Sequence, residues 1–191
     1  MILPRSFYTR GTVEVARDLL GTVVRRSATS GIIVETEAYL GGDDLAAHSA
    51  RGLTERTRVI FGPPGHAYVY LIYGVYDCLN LVAEPDGQPG CVLIRALEPL
   101  DGLDVMRERR PRARGAEDLT SGPGRLTMAL GITRAECCGA DVCAADSGLT
   151  VEEGPDRGAF EIVAGPRVGI TKCVDWPLRF LLGGNRFVSR G

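Results

Sequence analysis

Lysine is almost missing from this chain: of its 22 lysine and arginine residues, only Lys172 is a lysine. Arginine suits bidentate phosphate contacts, and an arginine bias equally suits a base-composition effect in the gene, so both readings stand. A strong charge of one sign is missing too. The formal net charge is −2, which excludes a strongly basic nucleic-acid-coating protein but does not say where the charges sit. No apolar run approaches the roughly 20 residues of a membrane span. Met1 to Arg5 shows no basic-then-apolar signal pattern, which predicts a cytoplasmic protein with no membrane partner. The six cysteines include no C-x-x-C pair, and only His48 and His66 supply imidazoles. Cys137, Cys138 and Cys143 cluster, with Cys173 as a distant fourth, but the spacing is poor for zinc; buried free thiols and no metal are expected. No G-x-G-x-x-G follows a strand, which argues against a doubly wound nucleotide-binding sheet. Internal repeats and low-complexity linkers are absent as well.

What is present describes one soluble domain over residues 1–191, with 45% hydrophobic and 24% charged residues. Thr12 to Gly21 reads as a helix, with Thr12 at the N-cap, Glu14 in the first turn, Val13, Ala16 and Leu20 on one face, and Gly21 as a left-handed cap. β-Branched runs at Thr22 to Arg25 and Ile32 to Tyr39 flank a polar turn, Ser27 to Gly31. An aromatic strand, His66 to Tyr73, is parted by Gly74-Val75 from a second, Tyr76 to Ala83, as in a hairpin. Cys91 to Leu97 is a further strand. Helices are predicted over Asp101 to Arg110 and from Pro123 to the stop at Gly131. Short strands return after Leu149. Arg107 to Gly115, rich in arginine and proline, reads as a loop. Sequential strands with few helices between them imply an α+β fold on an antiparallel sheet.

Two patterns carry chemistry. In Val34-Glu35-Thr36-Glu37-Ala38-Tyr39, strand alternation projects Glu35, Glu37 and Tyr39 to one face. Facing solvent they are a polar strand surface; facing a pocket, one glutamate can be a general base whose partner shifts its pKa. The spacing does not say which. Tyr68, Tyr70, Tyr73 and Tyr76 fall within nine residues. They form either cross-strand pairs that stabilise the sheet or a platform for stacking bases, with a tip aromatic able to act as a groove wedge.

Longer runs extend these patterns. Ile33-Val34-Glu35-Thr36-Glu37-Ala38-Tyr39-Leu40-Gly41 resembles the alkyladenine (3-methyladenine) DNA glycosylase family. So do Ala46-Ala47-His48-Ser49, Phe61-Gly62-Pro63-Pro64-Gly65, Tyr68 to Gly74 and Cys78-Leu79-Asn80. Val92 to Pro99, Ser121-Gly122-Pro123, Arg167-Val168-Gly169-Ile170 and Pro177 to Phe180 continue the match in order. Without a long N-terminal extension the chain resembles the bacterial members of that family. Arg107 to Gly115 and Arg134 to Ala145 depart from the pattern.

The resemblance implies a single α+β domain around a curved antiparallel sheet, with a protruding hairpin and flanking helices. It implies a monofunctional enzyme of base excision repair that flips alkylated or deaminated purines from damaged double-stranded DNA and hydrolyses the N-glycosidic bond, leaving an abasic site. Glu37 is similar to the family's water-activating glutamate, with Arg95 and the Val168 carbonyl holding the water. Glu35 is left structural. Tyr39, His48 and Tyr70 match the side chains around the flipped base, Asn80 the residue that disfavours guanine, and Tyr73 the intercalating residue. Ser121-Gly122 at a helix start suits a phosphate, or simple capping. A nucleoid-associated monomer with no cofactor is expected. Two rivals are a binder of damaged nucleic acid without activity and a hydrolase of free nucleosides.

Overall fold

A computed structural model describes residues 1–155 and 160–189. Its elements in chain order are α1 (Arg5–Tyr8), α2 (Thr12–Asp18), β1 (Val23–Arg26), β2 (Thr29–Tyr39), a 3-10 turn (His48–Arg51), β3 (Ala67–Ile72), β4 (Tyr76–Val82), β5 (Cys91–Asp101), α3 (Leu103–Arg109), α4 (Ala116–Thr120), α5 (Pro123–Leu130), α6 (Arg134–Cys137), β6 (Leu149–Glu152), β7 (Ile162–Gly165) and β8 (Arg179–Leu182). The antiparallel sheet runs β3-β4-β5-β2-β1-β6, with β8 also on β2 and β7 on β8. This is the expected curved α+β architecture.

The centre of the sheet is β2, and one edge of it is shared. Residues 29–32 pair with β1, whereas Glu35, Thr36 and Glu37 pair with β8. Against β5 the register slips twice. Ile33 faces Leu97, Glu35 faces Ala96 and Thr36 faces Ile94, so Val34 and Arg95 are each an extra residue in the ladder. Such bulges bend a strand and re-aim side chains. Both faces are covered: α2 packs Val15, Ala16 and Leu19 beneath the sheet, and the Thr36 hydroxyl donates to the Ala16 carbonyl at 2.8 Å. Leu126, Ala129 and Leu130 of α5 complete the core beside β4 and β5.

Several boundaries differ from those the sequence predicts. Thr12 is inside α2 rather than its N-cap; Gly11 is the N-cap, and the Glu84 carboxylate accepts from the Thr12 N–H and hydroxyl at 2.6 and 2.8 Å. The buried face therefore runs Thr12, Val15, Ala16, and Val13 is only half-buried. Gly21 has positive φ but lies beyond the helix, where its N–H donates to the Ile33 carbonyl. The β1–β2 turn is only Ser27-Ala28, and β5 continues four residues past Leu97 to Asp101. Arg107 and Arg109 belong to α3, so the predicted arginine loop begins later. By contrast Gly131, at φ 70°, ends α5 in the left-handed conformation expected of it.

The β3–β4 hairpin protrudes. Its turn places Tyr73 and Gly74 at φ 52° and 69°, closed by the Val75 N–H on the Ile72 carbonyl at 3.1 Å. Two consecutive positive φ values match the twist of a hairpin. Glycine takes that geometry freely, whereas a tyrosine is strained in it. Tyr73 is 85% exposed, so no core packing explains its presence there.

Candidate active site

The bulge at Arg95 brings its guanidinium between the two glutamates of β2. Arg95 Nε donates to Glu35 Oε1 at 3.1 Å, and Nη1 lies 3.3 Å from Glu37 Oε1. Both carboxylates are fully buried, yet their surroundings differ. Glu35 also accepts from Arg179 Nε at 2.6 Å, the Ser189 N–H at 2.7 Å and the Ser189 hydroxyl at 3.0 Å. Three of these four donors fall on Oε1 and only the Ser189 N–H on Oε2, and two of them are guanidinium groups, so Glu35 is the hub of a network joining Arg95, Arg179 and Ser189. Glu37 accepts from the Val168 N–H at 2.7 Å and the Tyr39 hydroxyl at 2.9 Å, with Arg95 as its third neighbour. Burial pushes its carboxyl above the usual range, opposed by Arg95, the Val168 N–H and the Tyr39 hydroxyl. The geometry thus separates the two glutamates that spacing alone leaves equivalent.

Tyr39, Arg95 and Val168, the three partners of Glu37, all line a cavity of about 620 Å³. His48, Tyr70, Asn80 and Tyr73 line it too, while Glu37 is not in the lining but is bonded to three residues that are, and Ser121 lies at another groove. His48 and Tyr70 form one aromatic wall, ring centroids 4.6 Å apart and planes at 73°. The His48 ring is steered by the Tyr68 hydroxyl, 3.0 Å from Nδ1. Burial, with Arg56 and Arg51 adding like-charge repulsion, pushes His48 down to about 4, so the ring is neutral at pH 7. Asn80 is anchored by its Nδ2 on the carbonyls of Tyr68 and Cys78, at 3.1 and 3.4 Å.

Sequence reasoning missed the clamp beneath this site. Arg167 donates to both oxygens of Asp44 at 2.6 and 2.8 Å and to the Ala38 carbonyl at 3.0 Å. Its guanidinium lies 4.7 Å from the centroid of the Tyr39 ring. Asp44 also accepts from the Leu40 and Ala46 N–H groups, so the pair ties the chain leading to His48 to the chain carrying Val168. Arg167 stands next to Val168 in one of the matching runs; Asp44, in a glycine-rich turn, gives no signal.

Lys172, which none of the matching runs contains, lines the cavity. One expectation changes. Ser121 does not cap α5, whose N-cap is Gly122 without a side-chain bond. Cys78 and Cys91 also line the cavity. All six cysteines are free, and no group of three or more metal-ligating side chains occurs among the described residues. No helix among them is long and apolar enough to cross a membrane.

An antiparallel α+β domain thus carries a buried carboxylate behind an aromatic cavity and an exposed aromatic at the tip of a hairpin. The methylpurine-DNA glycosylase family profile matches residues 6–186, and the chain belongs to that family. Its relatives include proteins named "Putative 3-methyladenine DNA glycosylase". The one from Methanocella arvoryzae is 56% identical, over 93% of this chain and 89% of its own length. The one from Methanoculleus marisnigri is 51% identical over the whole of both chains, and that from Koribacter versatilis 49% identical over 98% and 92%. These relatives come from archaea as well as bacteria, so similarity does not support the narrower expectation of a bacterial member.

Proposed function

We propose that this chain is a DNA glycosylase of base excision repair, acting as a monomer on damaged duplex DNA and hydrolysing the N-glycosidic bond of a flipped purine. The observation that carries this reading is Glu37, a buried carboxylate whose three partners, Tyr39, Arg95 and Val168, all line the aromatic cavity. Water held by Glu37, Arg95 and the Val168 carbonyl attacks the sugar C1′. The C1′–O bond forms as the bond to the base nitrogen breaks, and the water proton passes to Glu37. A base already cationic through alkylation leaves neutral. The developing positive charge on the sugar is balanced by the same carboxylate. Water and the chain's own residues complete the balance, and every residue invoked comes from one chain.

Tyr39, Tyr70 and His48 surround the base, and electron-rich rings favour cationic purines. The neutral His48 adds no opposing charge. Asn80, in the lining of the cavity, is the residue we assign to disfavouring the 2-amino group of an undamaged guanine. Release of free base from duplexes carrying 3-methyladenine, 7-methylguanine, hypoxanthine or ethenoadenine tests the reading. Release from none of them, or equally from the free nucleosides, overturns it.

Tyr73, exposed at the strained hairpin tip, fills the gap left by the flipped nucleotide. Tyr73→Ala is expected to weaken lesion-duplex binding by about 1–3 kcal/mol, with a smaller loss on single strands, where no stack is held open. Equal losses on both substrates would reduce Tyr73 to a hairpin-packing residue.

A second reading arises from Lys172 at the cavity. An amine there is a candidate for Schiff-base chemistry at the sugar, which would also cut the strand. The Glu37–water reading expects an intact abasic site and no covalent adduct after borohydride treatment. An adduct that disappears in Lys172→Ala would establish the second reading instead.

A further inference from the structure

The arginine-rich segment that departs from the family pattern contributes nothing to the lining of the cavity just described and lines another. A second groove, of about 650 Å³, is lined by Arg109, Arg110, Arg112 and Arg125 together with Tyr76 and Pro123. No carboxylate lines it among the described residues, in a chain whose net charge is −2. Two of its cations are fixed by carbonyls, which orient a guanidinium without neutralising it. Arg109 Nη1 donates to the Ala129 carbonyl at 3.0 Å, and Arg110 Nη1 to the carbonyls of Asp118 and Leu119, the latter at 2.8 Å. Arg125 pairs with Asp118 at 2.7 Å. Arg112 is exposed and has no partner among the described residues. Burial holds Arg110 below its usual range, and the like charge of Arg125 adds to this while Asp118 opposes it. An anion in the groove would relieve that repulsion.

The groove adjoins the candidate active site: Pro123 lines both. Tyr76, three residues after Tyr73, begins the outgoing strand of the hairpin and lies in the groove wall. A polyanion engaged by Tyr73 at the hairpin tip is therefore within reach of this face.

We infer that this groove is a phosphodiester-binding site, holding the backbone of the duplex beside the flipped nucleotide and supplying cationic contacts that the acidic chain as a whole lacks. The inference rests on DNA being the substrate, as proposed above. Neutralised phosphates release counterions, so each one adds about 0.9 to the slope of log binding constant against log salt.

The test is that slope, measured by fluorescence anisotropy on an undamaged and a lesion-bearing duplex, for wild type, Arg112→Gln, Arg125→Gln and Arg134→Gln. The last makes the same change of charge on exposed α6, which leads into Gly139 bound to Ala67, the end of β3 away from Tyr73. Arg112→Gln or Arg125→Gln is expected to lower the slope by about 0.9 on both duplexes, while Arg134→Gln leaves it unchanged. Thermal melts of each variant identify any that is misfolded; Arg112, exposed and with no partner among the described residues, is the variant expected to keep the fold. Unchanged slopes in both groove variants, or an equal fall in Arg134→Gln, overturn the site. Base release by wild type is read in parallel. If it fails while the groove variants still lower the slope, the catalytic reading falls and the phosphodiester site stands.

Discussion

Glu37→Gln is expected to bind lesion duplex at near wild-type strength and to lose about 10²–10⁴-fold in single-turnover base release. The amide can keep the geometry. Its carbonyl can accept from the Val168 N–H, while its NH₂ group faces the Tyr39 hydroxyl oxygen, which can accept instead. What it cannot do is take the proton of water. The pH profile carries the same assignment. Burial raises the carboxyl of Glu37, and only the ionised form acts as a base, so the wild-type rate should climb at a pH above the ordinary carboxylate range. Stability should move the other way. The folded state holds this proton more tightly than the unfolded chain, so ionisation disfavours folding as pH rises between the unfolded and folded values. Glu37→Gln removes that term and should melt no lower than wild type at pH 7. Base release by Glu37→Gln within threefold of wild type, on the order of experimental scatter beside the expected loss, would remove Glu37 from the chemistry. A loss of rate accompanied by a lowered melting temperature would reassign the residue to the core.

Glu35→Ala is expected to have the largest effect on stability. The side chain is fully buried and holds Arg95, Arg179 and Ser189 together. Removing it leaves the largely buried Arg179 guanidinium without a carboxylate and Arg95 with Glu37 alone, a loss of about 3–5 kcal/mol, or roughly 6–20 °C in melting temperature for a chain of this size. Glu35→Gln preserves acceptor and shape and should lose less. Arg95 would also be freed from one of its two carboxylates, so base release should fall in any Glu35→Ala that stays folded. Calorimetric melting checks the prediction. A melting temperature for Glu35→Ala equal to wild type would mean that the Glu35 network does not hold the site together.

The two predictions turn on residues that the linear sequence treats alike. Alternation along β2 places Glu35 and Glu37 on one face, and no local rule distinguishes them. The difference lies in neighbours about 60 to 154 positions away: Arg95, Arg179, Ser189 and Val168. The same holds for Asp44 and Arg167, separated by 123 positions. Lys172 reaches the cavity because the Val168 chain is folded over Glu37, a long-range fact. The arginine segment was readable as basic but not as a groove, since its walls also include Tyr76 and Arg125.

Local chemistry settled much of the rest. The alternation of β2, the aromatic hairpin around Gly74, and the start of α5 at Pro123 with its stop at Gly131 are short-range properties of backbone sterics, and they were legible. The motif order carried the family, and with it the set of residues meeting at the cavity. Boundaries failed where a distant side chain intervened, as when Glu84 took over the N-terminus of α2. Which carboxylate is tied into a network of two arginines and which stands behind the cavity was decided only by tertiary structure. Hydrogen-bond capacity and desolvation depend on every group that folding brings within about 3 Å, and bulges at Val34 and Arg95 determine which groups those are.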